Sequence, residues 1–131
     1  MKRPVEIVKE VMESSQFPFD DIFLDSIPEN ELDSSDKTQI LLTESSSQLG
    51  DYGNSNFTSL LYGVYIQIFY TNAENSDIDI IKNEIELMKY LVENDWLIVQ
   101  SQAHYLDPTT KQMIKNITVQ RTMTLSEIAN S

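Results

Sequence analysis

Residues 59–71 read SLLYGVYIQIFYT, the densest run of β-branched and aromatic side chains in the chain, with no proline to interrupt it. In an extended strand alternate side chains face opposite sides. Tyr62, Val64, Ile66, Ile68 and Tyr70 then share one face, and Leu61, Gly63, Tyr65, Gln67 and Phe69 the other. Both faces are largely apolar, which predicts a central strand with cover on at least part of each face. Gly63 offers no side chain to pack and marks a bend or a bulge.

A helix is expected shortly after this strand. Ser76 suits the N-cap, with Asp79 three residues on, and Asp77 and Asp79 complement the positive end of the helix dipole. Ile78, Ile81, Ile85, Met88 and Val92 then recur at helical spacing, widened by Leu87 and Leu91. Each fully buried member would contribute roughly 1.5–3 kcal/mol. The stripe is therefore expected to lie on the sheet, with Lys82, Glu84, Glu86 and Lys89 outside. On that placement Ile85→Asp would bury an unpaired charge and abolish folding. Asn94-Asp95 ends the helix and Trp96 opens the next strand.

A chain of 131 residues suits one domain over 1–131 with a single core. There is no cysteine, so disulfides and thiolate metal sites are excluded. Lys2-Arg3 is followed by Pro4 and Glu6 rather than an apolar region, so no signal peptide is expected, and no apolar run suits a membrane span. The net charge of −12 is uneven. Residues 15–95 hold 16 acids against 3 bases, whereas residues 96–131 hold 2 against 3. That balance argues against general nucleic-acid binding, which needs a basic footprint.

Taken in order, Pro4 suits the first turn of a helix carrying Val5, Val8 and Met12 on one stripe and ending near residue 14. Residues 20–27 predict a short strand stopped by Pro28, residues 29–36 an acidic loop, and residues 37–43 a second strand. Residues 44–57 hold two of the three glycines and the run Ser45–Ser47, which predicts a flexible contact loop with fast amide exchange. Beyond the helix, residues 96–105 and 111–125 form an antiparallel hairpin around the turn Asp107-Pro108-Thr109-Thr110. On its second strand Met113, Ile117, Val119, Met123 and Leu125 share one face. Ile114, Asn116, Thr118, Gln120, Thr122 and Thr124 share the other. The order α-β-β-β-α-β-β predicts an α+β domain, a mostly antiparallel sheet with two helices packed on it.

No motif for catalysis stands out. His104 is the sole histidine and has no evident carboxylate partner, so it reads as structural. The acids of residues 20–36 match no calcium loop, which requires a central glycine. Phosphate loops, dinucleotide turns and nucleophile elbows are absent. The expectation is a protein that is not an enzyme and takes no cofactor or metal.

Length, acidity and element order resemble the tail terminator proteins of long-tailed, siphovirus-type phages, in particular the small tail-component family of Gram-positive hosts. The resemblance is carried by RPVEIVKEVM (residues 3–12), YGVYIQIFY (62–70), IIKNEIELMKYLVENDWLIV (80–99), and AHYLDPTTKQ leading into ITVQRTM (103–123). It implies a ring, typically hexameric in that family, on the head-proximal end of the tail tube. Such a ring stops tube polymerisation and provides the head-attachment surface. Implied partners are further copies of the chain, the tail tube protein and a head-completion or connector protein, with DNA passing the lumen unbound and no membrane. The implied location is the host cytoplasm during assembly and then the virion tail.

For such a ring the neutral polar face Asn116, Thr118, Gln120 and Thr122 is a candidate subunit contact, able to hydrogen-bond without desolvating charge. Lys111, Lys115 and Arg121 beside it are expected to meet the acidic 20–36 region of a neighbour. Gln48, Asp51 and Tyr52 in the loop are further candidate contacts. The rival reading is an acidic, DNA-mimicking inhibitor of phage origin, which acids in regular rows on one continuous surface would support.

Overall fold

A computed structural model describes residues 1–31, 35–53, 56–72 and 79–131. The helices are α1 (Pro4–Ser14), α2 (Ile80–Glu93) and α3 (Leu125–Ala129). The strands are β1 (Asp21–Leu24), β2 (Gln39–Leu49), β3 (Tyr52–Gly53), β4 (Asn56–Phe57), β5 (Ser59–Phe69), β6 (Leu97–Ser101), β7 (Tyr105–Leu106) and β8 (Met113–Thr124). The main sheet runs β1-β2-β5-β8-β6, with β7 also on β8, and β3 and β4 form a separate small ribbon. Only the β1–β2 pair is parallel. The fold is α+β with a mostly antiparallel sheet.

As expected, β5 is central. It is hydrogen-bonded along its length to β2 on one side and β8 on the other. Residues directly opposite one another in a ladder share a face. Ile66 therefore lies with Leu42 and Ile117, Val64 with Val119, and Ile68 with Ile40. All of these are fully buried. Val5, Val8 and Met12 of α1 and Leu87 and Leu91 of α2 join the same core, as do Trp96 and Ile128. Ser14 Oγ and Tyr90 Oη, 2.8 Å apart, tie α1 to α2 over it. Every helix thus packs on one face of the sheet. The other face of β5 is covered only in part, with Leu61, Tyr65, Gln67 and Phe69 half-buried.

Gly63 marks a bulge, but in the neighbouring strand. The β2–β5 register shifts between Glu44 and Ser46, opposite Gly63. A Cβ there would come within 2.3 Å of Ser46 Oγ and 2.4 Å of Ser45 Oγ, so the extra residue fits only over a glycine.

Four local expectations are corrected. Residues 44–49 are not a loop. They continue β2 in register with β5, Leu49 opposite Leu60, while β8 flanks β5 over the same stretch, so the sheet runs on to the short β3–β4 ribbon. Helix α2 is capped by Asp79, whose side chain accepts from Lys82 N at 3.1 Å. Ser76, Asp77 and Ile78 lie outside the described residues. The expected strand over 96–105 breaks after Ser101 and resumes as β7. Leu125 leaves the core to begin α3, for which Thr124 and Glu127 supply a reciprocal capping box.

The largest correction concerns the side of α2 that faces the sheet. Glu84, Leu87 and Leu91 are buried, whereas Ile81, Ile85 and Val92 are 59%, 45% and 54% exposed. The helix carries two apolar stripes and buries the one containing Glu84. A Schellman motif ends it. Asp95 takes φ 73°, Asp95 N donates to Val92 O at 3.1 Å, and Trp96 N to Leu91 O at 2.9 Å. The prediction for Ile85 therefore reverses. Leu91→Ala should cost about 2–5 kcal/mol. Ile85→Asp should change stability by about 0.5 kcal/mol or less, as a surface substitution. Urea unfolding of the two variants checks this, and a collapse of Ile85→Asp would contradict the observed rotation.

Candidate interaction surfaces

The half-buried face of the sheet can be read off the pairing. Thr122 stands opposite Leu61, Gln120 opposite Gly63, Thr118 opposite Tyr65, Asn116 opposite Gln67, and Ile114 opposite Phe69. On β2, Gln48 stands opposite Leu61, Thr43 opposite Tyr65, and Leu41 opposite Gln67. The face therefore mixes neutral polar groups with aromatic and aliphatic ones, and carries no charge along these rows. Asn116 is buried in it, with its Nδ2 donating to Gln102 Oε1 and Tyr105 Oη, both at 3.2 Å. Burial and the nearby Tyr105 raise the Tyr65 hydroxyl above its ordinary pKa.

Of the residues expected at a contact, Asn116, Thr118, Gln120, Thr122 and Gln48 are brought together on this face. Asp51 and Tyr52 lie apart from it at the ribbon end of the sheet, where both are exposed. Lys111 is exposed in the turn before β8 with φ 64°. The other two cations do not serve as expected. Lys115 falls on the helix-covered face, is buried, and donates its Nζ to the Gln102 carbonyl. Arg121 also points to that side and pairs with Glu127 at 3.1 Å and Asp95 at 4.0 Å in its own chain. The reason is parity: odd positions of β8 face the helices. The acidic 20–36 region is likewise engaged internally. Arg3 clasps Asp25 through two bonds of 2.7 and 2.8 Å, and this partner holds the Asp25 carboxyl below its usual range. Lys37 lies 3.7 Å from Asp21 and 3.8 Å from Glu31.

A second surface comes from the rotation of α2. Ile81, Ile85 and Val92 point outward beside β6, whose Leu97 and Val99 are also exposed. Ile85, Met88, Val92 and Ile98 line an apolar groove of about 400 Å³, with Lys89 and Glu93 at its rim. Strand β6 is an end strand of the sheet, so its outer edge offers unpaired backbone groups alongside.

One polar cluster was not visible in the sequence. Glu84, expected outside, is buried, and its Oε2 accepts from Tyr70 Oη at 2.5 Å. His104 Nε2 lies 2.8 Å from the same oxygen, so a proton on this nitrogen completes the set. His104 therefore has the carboxylate partner that its sequence neighbourhood does not reveal. The three come from β5's end, α2 and the β6–β7 link, and no local spacing announces them. The signal available was that Glu84 shares a helical stripe with Ile80, Leu87 and Leu91. Both partners use one carboxylate oxygen, which makes a clasp holding α2 to the sheet. Burial first, and then Glu84, drives the Tyr70 hydroxyl far above its ordinary 10.0.

The family model for DUF806, described as "Protein of unknown function", matches residues 2–124. The chain belongs to the DUF806 family. No curated protein matches it. The family boundary takes in both surfaces and the clasp, and stops where α3 begins.

The clasp generates a prediction. Tyr70→Phe removes a bond to a carboxylate and should cost about 1.5–3 kcal/mol at neutral pH. In the folded chain Tyr70 keeps its proton above pH 10, where an unfolded tyrosine ionises. Its contribution is thus full below about pH 10 and is lost as pH rises. Urea midpoints measured from neutral to alkaline pH should fall more steeply for the parent protein than for Tyr70→Phe.

Proposed function

We propose that this DUF806 protein is a phage tail terminator, forming a ring, a hexamer as the resemblance implies, on the head-proximal end of the tail tube. Within that reading the ring occupies the interface where the next tube ring would bind and presents a different face to the head. It binds copies of itself, the tube protein and a head-completion or connector protein. The work is capping, which needs no bond-making chemistry, cofactor or metal.

The observation that carries the reading is a pair of dissimilar unpartnered surfaces on one small domain. A closed ring is built from head-to-tail contacts, each joining two different patches of the same chain. The uncharged open sheet face and the apolar α2–β6 groove are two such patches. The net charge of −12 supports the same reading, since an acidic lumen repels DNA and lets it pass without sticking.

Purified tails lacking this protein test the proposal. Added protein should appear as one extra ring at the head-proximal end by electron microscopy, and should halt further addition of tube subunits. Tails that keep elongating with no added ring would exclude the terminator function.

A further inference from the structure

We propose that a pocket at one end of the open sheet face receives an arginine side chain from another protein. Gln39, Gln112 and Asp107 accept from its guanidinium, and Leu41 and Phe69 flank its stem. The inference goes beyond the ring reading and does not rest on it.

The register places the parts. Gln39 stands opposite Phe69 and Leu41 opposite Gln67, so Gln39, Leu41 and Phe69 share the open face. Phe69 in turn stands opposite Ile114, and Gln112 lies two residues before it. These four side chains form a floor. Asp25, Ser26 and Ile27, just past β1, line the pocket from one side of the sheet, and Asp107 and Thr110 of the closing turn from the other. The space enclosed is about 420 Å³, ample for one long side chain.

The two glutamines point to a donor. They are 2% and 3% exposed. Gln39 Nε2 donates to the Glu31 carbonyl at 3.3 Å, and Gln112 Nε2 to the Tyr70 and Lys37 carbonyls at 3.2 and 3.4 Å. A carbonyl can only accept, so the amide nitrogens must face the backbone and the Oε1 atoms must face away. Neither Oε1 accepts a hydrogen bond from the described residues, and neither is sealed from solvent. Water can satisfy them in the free chain. A group that displaces the water must bring donors of its own.

Charge selects which donor. Asp107 Oδ1 accepts from the main-chain N–H of Thr110 at 3.0 Å and of Thr109 at 2.8 Å, and these bonds hold its carboxyl below the usual range. It is therefore ionised at neutral pH. Asp25 is already neutralised by Arg3 and adds no free charge. Among the described residues no base lines the pocket. A guanidinium offers five donors in one plane on an apolar stem, which suits several oxygens around an apolar floor. An ammonium is a compact, strongly hydrated charge and suits that floor less well. The occupant is not a second copy of this chain. Its two arginines are both engaged at home, Arg3 by Asp25 and Glu44, and Arg121 by Glu127. A protein of different sequence has to bring the arginine.

The probe is N-acetyl-arginine amide, titrated into the free full chain and followed by NMR. The side-chain amide signals of Gln39 and Gln112 and the Thr110 amide should shift together and saturate in the millimolar range. The same probe with citrulline, a neutral isostere, should bind about fivefold more weakly or worse, because it forfeits the charge-assisted bonds. Asp107→Asn keeps the oxygen that closes the turn and removes the charge. It should unfold at the parent temperature and bind the arginine probe about threefold more weakly or worse. Equal binding of the arginine and citrulline probes would overturn the proposal. So would a lysine probe that binds as tightly as arginine, or shifts that never saturate and spread over the acidic surface. If Asp107→Asn fails to fold, the comparison of probes on the parent protein decides alone. No tails are present, so the tail-capping result leaves this outcome untouched.

Discussion

Strand β5 has to satisfy two hydrogen-bonded edges and two side-chain faces at once, and the rest of the chain follows from how that is done. Its edges take β2 and β8, both long, and this produces the antiparallel centre of the sheet. One of its faces takes α1 and α2. No third layer covers the other. With two long helices among the described residues, covering one face fully leaves the second to half-buried, mostly uncharged side chains. That asymmetry is what gives a small domain an unpartnered surface.

The second constraint is the orientation of α2. Its sequence can bury either Ile81, Ile85 and Val92 or Ile80, Leu87 and Leu91, but not both. The two stripes are of similar apolar volume. The second puts Glu84 into the core, which is costly unless the carboxylate is fully partnered. Tyr70 and His104 supply those partners, one from the end of β5 and one from the β6–β7 link. Once they are in place, the helix is held by a directional contact as well as by burial, and the Ile81–Ile85–Val92 stripe turns outward. The exposed groove is therefore a consequence of the clasp.

Charge follows the same logic. Among the described residues Lys2, Arg3, Lys37 and Arg121 pair with acids of the chain, including the contact that seats α1 on the end of β1 through Arg3 and Asp25. Short-range neutralisation inside the fold leaves the surplus acid on the surface. At the apolar groove Lys89 and Glu93, one helical turn apart, balance each other.

The central strand, the first helix and its Val5–Val8–Met12 stripe, the closing turn at 107–110 and the α+β class were legible in residue order alone. Each rests on a short-range rule: side-chain alternation, helical spacing, or a proline at a fixed backbone angle. The neutral polar row of Asn116, Thr118, Gln120 and Thr122 was legible for the same reason, since parity along one strand needs no knowledge of its neighbours. The terminal helix was not read, although Thr124 and Glu127 mark it locally, because the strand alternation was carried through residue 125. Only the tertiary structure decided the rest. The run Ser45–Ser47 looks like loop until Gly63 of the facing strand makes room for a bulge. Lys115 and Arg121 look free until the helices are placed on one side of β8. Glu84 looks like a solvent-facing acid until Tyr70 and His104, 14 residues before it and 20 after it, converge on one of its oxygens. A buried polar group can be read from sequence only when its partners are neighbours in the chain, and here they are neighbours only in space.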